Sequence, residues 1–171
     1  MEKSYKEYLN QITTFVFDVD GVLTDGSLQV STTGELLRTM NTKDGYAMKM
    51  ALKGGFTVCI ISGGKNEGVR ERLRGLGITD IYLGVDDKVE QMDEFFDIYD
   101  IKPEQVLYMG DDIPDYYPMK LVGLPCCPQD AVPELKEISL YVSHKNGGEG
   151  CVRDVIEQVM KVQGKWMEKN S

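Results

Sequence analysis

Residues 15–26 read Phe-Val-Phe-Asp-Val-Asp-Gly-Val-Leu-Thr-Asp-Gly, an apolar run that delivers two carboxylates, Asp18 and Asp20, into a glycine turn. The run, taken over Thr14–Val19, suits a strand buried on both faces. Once the chain breaks at Gly21, Asp18 and Asp20 need not stay on opposite faces of a continuing strand. One carboxylate can then attack while the other handles protons, and both can help hold a hard divalent cation. The stretch reads as a layout for phosphoryl transfer, and the rest of the chain must supply the missing parts.

Working outward, apolar strand-length runs alternate with amphipathic helical stretches. Strands are expected at Phe56–Ile61, Ile81–Leu83, Val106–Met109, Leu124–Cys126 and Leu140–Val142. Helices are expected over Lys43–Lys53, Asn66–Leu76, Lys88–Tyr99, Tyr116–Val122, Val132–Ile138 and Gly150–Val162. Strands separated by helices predict a parallel sheet covered on both faces, an α/β three-layer sandwich of Rossmann-like type. Ligands of such sheets bind at the carboxyl ends of the strands. Asp18 and Asp20, then Ser62, then Asp111 and Asp112 all fall at such ends. One segment breaks the alternation: Ser27–Ser31 and Glu35–Met40 flank Thr32-Thr33-Gly34 and read as a projecting β-hairpin. A lone two-stranded hairpin is marginal in water, so it needs a surface to pack against.

At 171 residues the chain fits one domain, 1–171, with an ordinary core, and 42% hydrophobic with 27% charged residues is a normal globular composition. A net charge of −9 argues against a nucleic-acid binder, which would show a basic patch, and an anionic substrate would need local positive charge from a metal or a few placed lysines and arginines. No signal peptide or membrane span is read, since the N-terminus is polar and the apolar runs are strand-length. Cys59, Cys126, Cys127 and Cys151 lack CxxC spacing, and with a single His144 they make no zinc site. Reduced thiols in a cytoplasmic protein are the expectation.

The ordered set of motifs now carries a resemblance. Asp18-Val19-Asp20-Gly21-Val22-Leu23-Thr24 resembles the first signature of the haloacid dehalogenase superfamily, and Ser62-Gly63 resembles the second. Lys88 matches the third, and Gly110-Asp111-Asp112-Ile113-Pro114-Asp115 the fourth. The resemblance implies that Asp18 attacks phosphorus to form an aspartyl-phosphate and that Asp20 serves as acid and then base. It also implies Mg²⁺ held by Asp18, the backbone carbonyl of Asp20, and Asp111, with Asp112 and Asp115 as supporting or occasional ligands. Ser62 and Lys88 would hold the remaining phosphoryl oxygens. The ordinary alternatives are helix capping for Asp112 and Asp115, a turn role for Asp25, and a solvated helix lysine for Lys88.

The length leaves no room for a large cap domain, so the chain resembles a capless member. More narrowly it resembles the 3-deoxy-D-manno-octulosonate 8-phosphate phosphatases, through DVDGVLTDG, the hairpin, Asn41-Thr42-Lys43-Asp44-Gly45-Tyr46, Gly84–Lys88 and Gly147–Asp154. That likeness implies a homotetramer joined through the hairpins, a neighbouring subunit closing each site, and a place in lipopolysaccharide precursor synthesis. It makes Asn41, Thr42, Lys43, Asp44, Gly45, Lys49, Gly63, Gly64, Lys65, Arg72 and Glu149 candidate substrate contacts. Two positions depart from the family pattern. Thr-Gly-Arg is common where this chain has Ser62-Gly63-Gly64, and an arginine is common where it has Glu149. Phosphatases of 2-keto-3-deoxy-nononate or N-acylneuraminate 9-phosphate are therefore the alternative, with Lys65 able to compensate for the missing arginine. A receiver-like phosphoaspartate signalling module is the alternative from a different class, and the base at Asp20 argues against it.

Overall fold

The computed structural model describes residues 3–168. Six parallel strands form one sheet in the order β5-β4-β1-β6-β7-β8: β1 (Thr14–Phe17), β4 (Thr57–Ile61), β5 (Asp80–Tyr82), β6 (Val106–Met109), β7 (Leu124–Cys127) and β8 (Tyr141–Val142). β1 lies inside the sheet, with Phe17 beside Ile60 of β4 on one side and Met109 of β6 on the other. The strand order reverses around β1, so its carboxyl end opens the crevice where such sheets bind ligands.

Alternate residues of each central strand feed two cores. Phe15, Phe17, Val58, Ile60, Leu107 and Met109 pack under α1 (Tyr5–Gln11), α2 (Thr42–Lys53), α3 (Glu67–Gly75) and α7 (Cys151–Val162). Val16, Cys59, Ile61, Val106 and Tyr108 pack under α4 (Lys88–Tyr99), α5 (Tyr116–Lys120) and α6 (Pro133–Ile138). Burial of every β1 residue explains why it reads as an unbroken apolar run rather than an alternation. The three-layer α/β reading holds. All four cysteines are free and buried, and adjacent Cys126 and Cys127 point to opposite cores.

Several expectations are corrected. β1 ends at Phe17, not Val19, because Asp18 already turns the chain and accepts from its neighbour's Val19 N–H at 2.7 Å. The polar N-terminus forms α1, started by a Ser4–Glu7 capping box. The hairpin exists but is shorter than its two arms: only β2 (Gln29–Val30) and β3 (Leu36–Leu37) pair. Its tip is closed by Ser31, whose Oγ accepts from the Glu35 N–H at 3.0 Å, with Gly34 at φ +86°. Between β1 and α2, where a cap would insert, the chain supplies only the turn at Val19–Leu23 and this hairpin. No helix among the described residues is long and apolar enough to cross a membrane.

Candidate active site

Three strand ends and one helix start converge. Asp18 follows β1, Ser62 follows β4, Asp111 lies two residues past β6, and Lys88 is the first residue of α4, whose start is capped by Asp87 through the Glu90 N–H at 3.0 Å. Asp18, Asp20, Ser62, Gly63, Gly64, Lys88, Asp111 and Asp112 line one cavity of about 470 Å³, together with Gly26, Val85, Asp86 and Pro114. A helix end directed into this cavity gives Lys88 a short reach to the carboxylates, and the side chain is almost sealed from solvent. The solvated-lysine alternative for Lys88 therefore fails.

Lys88 Nζ lies 3.2 Å from Asp18 Oδ1 and 2.8 Å from Asp115 Oδ1. Burial alone would lower the lysine's pKa, but the two carboxylates outweigh it and raise the value above its ordinary range. Asp115 is fully buried and bonded through both oxygens: Oδ1 also accepts from the Tyr108 hydroxyl at 2.7 Å, and Oδ2 from the Asp111 N–H at 3.2 Å. It makes no capping bond to α5, so the helix-cap alternative is wrong for Asp115. Asp112 does cap locally, accepting from the Ile113 N–H at 2.8 Å, and is solvent-exposed.

Carboxylate oxygens of Asp18, Asp111 and Asp115 all lie within 4.8 Å of one another. Burial, followed by repulsion from Asp115, pushes Asp18 well above the usual carboxylate range and Asp111 up to about 7. Three carboxylates face one ammonium here, a formal excess of two negative charges. An all-oxygen donor set with that imbalance fits a hard divalent cation such as Mg²⁺. Asp115 spends Oδ1 on Lys88 and Tyr108 and lends Oδ2 to the Asp111 N–H, so Asp18 and Asp111 offer the freer carboxylates for the ion, while Asp115 orients Lys88 and the Asp111 backbone.

Close approach explains two glycines. A Cβ on Gly21, at φ +88°, would stand within 1.8 Å of Asp111 Oδ2, and one on Gly147 would stand 1.9 Å from the Gly21 carbonyl oxygen. The Gly147-Gly148 segment thus packs onto the turn after β1, with the Gly148 N–H donating to Val22 O at 3.0 Å. On the far wall, Ser62 is buried, and its Oγ accepts from the Gly64 N–H at 3.2 Å.

Asp20 is held differently from Asp18. Arg38, just past β3, donates through Nε to Oδ1 and through Nη2 to Oδ2, both at 3.1 Å. Sequence reasoning missed Arg38, whose position at the foot of a hairpin gave no sign of which way it faces. It also missed Tyr108, hidden inside an apolar strand.

The remaining candidates lie outside that cavity. Lys65 lines an adjoining cavity of about 410 Å³ with Leu36, Arg38, Gly63, Gly64 and Asn66. Asn41, Thr42, Lys43 and Glu149 line a separate cavity of about 670 Å³ with His144 and Arg153. Asn41 caps α2 through the Lys43 N–H at 2.8 Å and donates to Gly148 O at 3.2 Å. Asp44 is buried and accepts from the Arg153 N–H at 2.9 Å, supplying to α7 the cap that Gly150 lacks. Gly45 is buried beside it, leaving room for the Arg72 guanidinium, and Arg72 and Lys49 are exposed on their helices. None of these last residues lines the cavity that holds the carboxylate cluster.

A family model described as haloacid dehalogenase-like hydrolase matches residues 73–156. The chain is 39% identical over 154 residues to the 3-deoxy-D-manno-octulosonate 8-phosphate phosphatase of Salmonella typhi, covering 90% of this chain and 82% of the relative. The crystal structure of the phosphatase of that name from Yersinia pestis superposes with TM-score 0.91 at 35% identity, covering 94% of this chain and 86% of that one. The Moraxella catarrhalis enzyme, crystallised with a magnesium ion, a phosphate ion and KDO, gives TM-score 0.90 at 29% identity, covering 93% and 91%.

Proposed function

The chain belongs to the haloacid dehalogenase superfamily, among its 3-deoxy-D-manno-octulosonate 8-phosphate phosphatases, and we infer that Asp18 is its nucleophile and Asp20 its proton carrier. It is a Mg²⁺-dependent phosphoric monoester hydrolase acting on a phosphorylated sugar acid, 3-deoxy-D-manno-octulosonate 8-phosphate, through an aspartyl-phosphate. The observation that carries the residue assignment is the meeting of Asp18, Asp111, Asp115 and Lys88 in one pocket at the carboxyl ends of the strands.

Asp18 attacks phosphorus in line with the departing sugar oxygen. Its Oδ1 is fixed by the Val19 N–H and by Lys88, which leaves Oδ2 for attack. Asp20 protonates the leaving oxygen and then takes the proton from the water that opens the acyl phosphate. Lys88, Ser62 and the backbone N–H groups beyond it hold the phosphoryl oxygens and offset their charge. Mg²⁺, held by Asp18 and Asp111, supplies concentrated positive charge to a dianionic substrate that three carboxylates would otherwise repel. Asp115 keeps Lys88 charged and directed into the pocket.

The whole chain, 1–171, works as one capless domain in the cytoplasm and as a homotetramer through its hairpins. Four free buried thiols support a reducing compartment. Leu28, Val30, Leu36 and Leu37 are between 40% and 69% exposed on or next to a ladder of two residue pairs, and such a hairpin needs a partner surface. In the tetramer, residues that stand away from their own pocket, among them Arg72 and Glu149, have neighbouring pockets to serve.

Phosphate release with Mg²⁺ tests the substrate. We expect 3-deoxy-D-manno-octulosonate 8-phosphate to give the highest kcat/KM. A higher value for the nononate or acylneuraminate 9-phosphates would reassign the sugar while leaving the chemistry in place.

A further inference from the structure

We propose that Arg38 is a positioning residue for Asp20, and that the missing side chain at Gly64 is what admits it. The inference rests on Asp20 being the proton carrier and concerns how that carboxylate is kept in place.

Asp20 needs such help. Its side chain is 36% exposed at the rim of the pocket, whereas Asp18 and Asp115 are packed and bonded below it. A carboxylate at a rim can turn about its own bonds, and each orientation that misses the leaving oxygen is lost turnover. The fork of Arg38 removes that freedom, because Nε and Nη2 each grip a different oxygen. Each carboxylate oxygen has a second lone pair, so the grip leaves both able to exchange a proton.

Arg38 is itself fixed. Its side chain is only 7% exposed, and its third nitrogen, Nη1, donates to Leu36 O at 3.0 Å. All three guanidinium nitrogens are therefore committed. An exposed ion pair contributes little, but a bidentate pair with one partner sealed from water has a defined geometry.

Gly64 supplies the space. Its backbone lies outside the left-handed region, so conformation does not demand glycine there. A Cβ at this position would stand 2.7 Å from Arg38 Nη2 and 3.3 Å from Asp20 Oδ2. The nearest atom belongs to the far end of a flexible side chain, so an alanine would displace the guanidinium without disturbing the backbone. The foot of the hairpin and the loop after β4 thus cooperate on one carboxylate, which makes the hairpin part of the chemistry as well as a packing surface.

The test measures kcat and KM on 3-deoxy-D-manno-octulosonate 8-phosphate with Mg²⁺ for Arg38→Met, Arg38→Lys, Gly64→Ala and Arg38→Met/Gly64→Ala, beside Asp20→Asn. Arg38→Met should lower kcat about 10- to 100-fold and leave KM within about threefold, the pattern of a lost orienting partner. Arg38→Lys should recover part of the loss, since an ammonium keeps the charge without the fork. Gly64→Ala should reproduce the fall in kcat with an unchanged thermal midpoint, and the double variant should be no slower than Arg38→Met. Losses that multiply in the double variant, or a rise in KM at unchanged kcat, would overturn the proposal. If Arg38→Met fails to fold, an undiminished kcat in Gly64→Ala overturns it equally well. Wild-type turnover in Asp20→Asn would instead remove the assignment of Asp20, an outcome read separately from the other variants.

Discussion

Lys88 Nζ stands 2.8 Å from Asp115 Oδ1 beneath the pocket, with both side chains at most 5% exposed. A buried pair of this kind is weak evidence of net stabilisation, because desolvating two charges offsets their attraction. Its value here is positional. Asp115, fixed by Tyr108 and the Asp111 N–H, aims Lys88 at Asp18.

Lys88→Met leaves the three carboxylates without their cation. In metal-free protein the variant should lose about 3–5 kcal/mol of stability, the usual cost of orphaning a buried charge. Phosphate release should fall by at least about 100-fold, as when a charge-stabilising donor is removed. Urea unfolding with and without Mg²⁺ reads the first effect, and added Mg²⁺ should narrow the gap by binding the folded state. Equal stability of the two proteins in chelator would contradict the charge balance described here.

Asp44 predicts a pH dependence of stability. Burial, only partly offset by the Arg153 N–H and the Arg153 charge, pushes its pKa up to about 6 from an ordinary 3.8, and its Oδ2 has no hydrogen-bond partner. The folded state thus keeps a proton that the unfolded chain releases. The stabilising contribution is complete below about pH 4 and is lost as pH rises through 6, by about 3 kcal/mol at most. Asp44→Asn cannot titrate, so the difference in unfolding free energy between variant and wild type should shift in the variant's favour from pH 4 to pH 7. A difference that stays constant across that interval would exclude Asp44 as the source.

The hairpin predicts an assembly. Val30→Glu and Leu36→Glu, cross-strand partners on one exposed apolar face of the ribbon, should convert the proposed tetramer to smaller species in sedimentation velocity, with a loss of activity on the sugar phosphate. Wild-type protein that sediments as a fully active monomer would remove both the tetramer and any role for a neighbouring subunit.

The strand that carries Asp18 was readable because it is buried on both faces, so its apolar run and its abrupt glycine end both survive in the sequence. The Lys88–Tyr99 helix was readable to the residue, bounded by an aspartate cap and a left-handed Asp100. The helix at Tyr5–Gln11 was missed because it buries only Leu9, although its Ser4–Glu7 capping box was there to be seen. Residues that act across the chain were not readable at all. Arg38 reaches Asp20 over 18 positions, Tyr108 reaches Asp115 from the middle of a strand, and Asp44 caps a helix that begins more than a hundred residues later. No local period records such contacts. Asn41 and Asp44, singled out as candidate substrate contacts, each also bind the backbone of the Gly148–Arg153 segment, a structural role that no local pattern announced.

The central claim is that Asp18 becomes covalently phosphorylated. A single turnover of 3-deoxy-D-manno-octulosonate 8-phosphate with excess enzyme and Mg²⁺, quenched in acid and digested, should yield the peptide containing Asp18 with the added mass of one phosphoryl group. The signal should appear before free phosphate and then decay, and Asp18→Asn should show neither the adduct nor turnover while remaining folded. Phosphate release at the wild-type rate from Asp18→Asn, or an adduct on a different residue, would contradict the account.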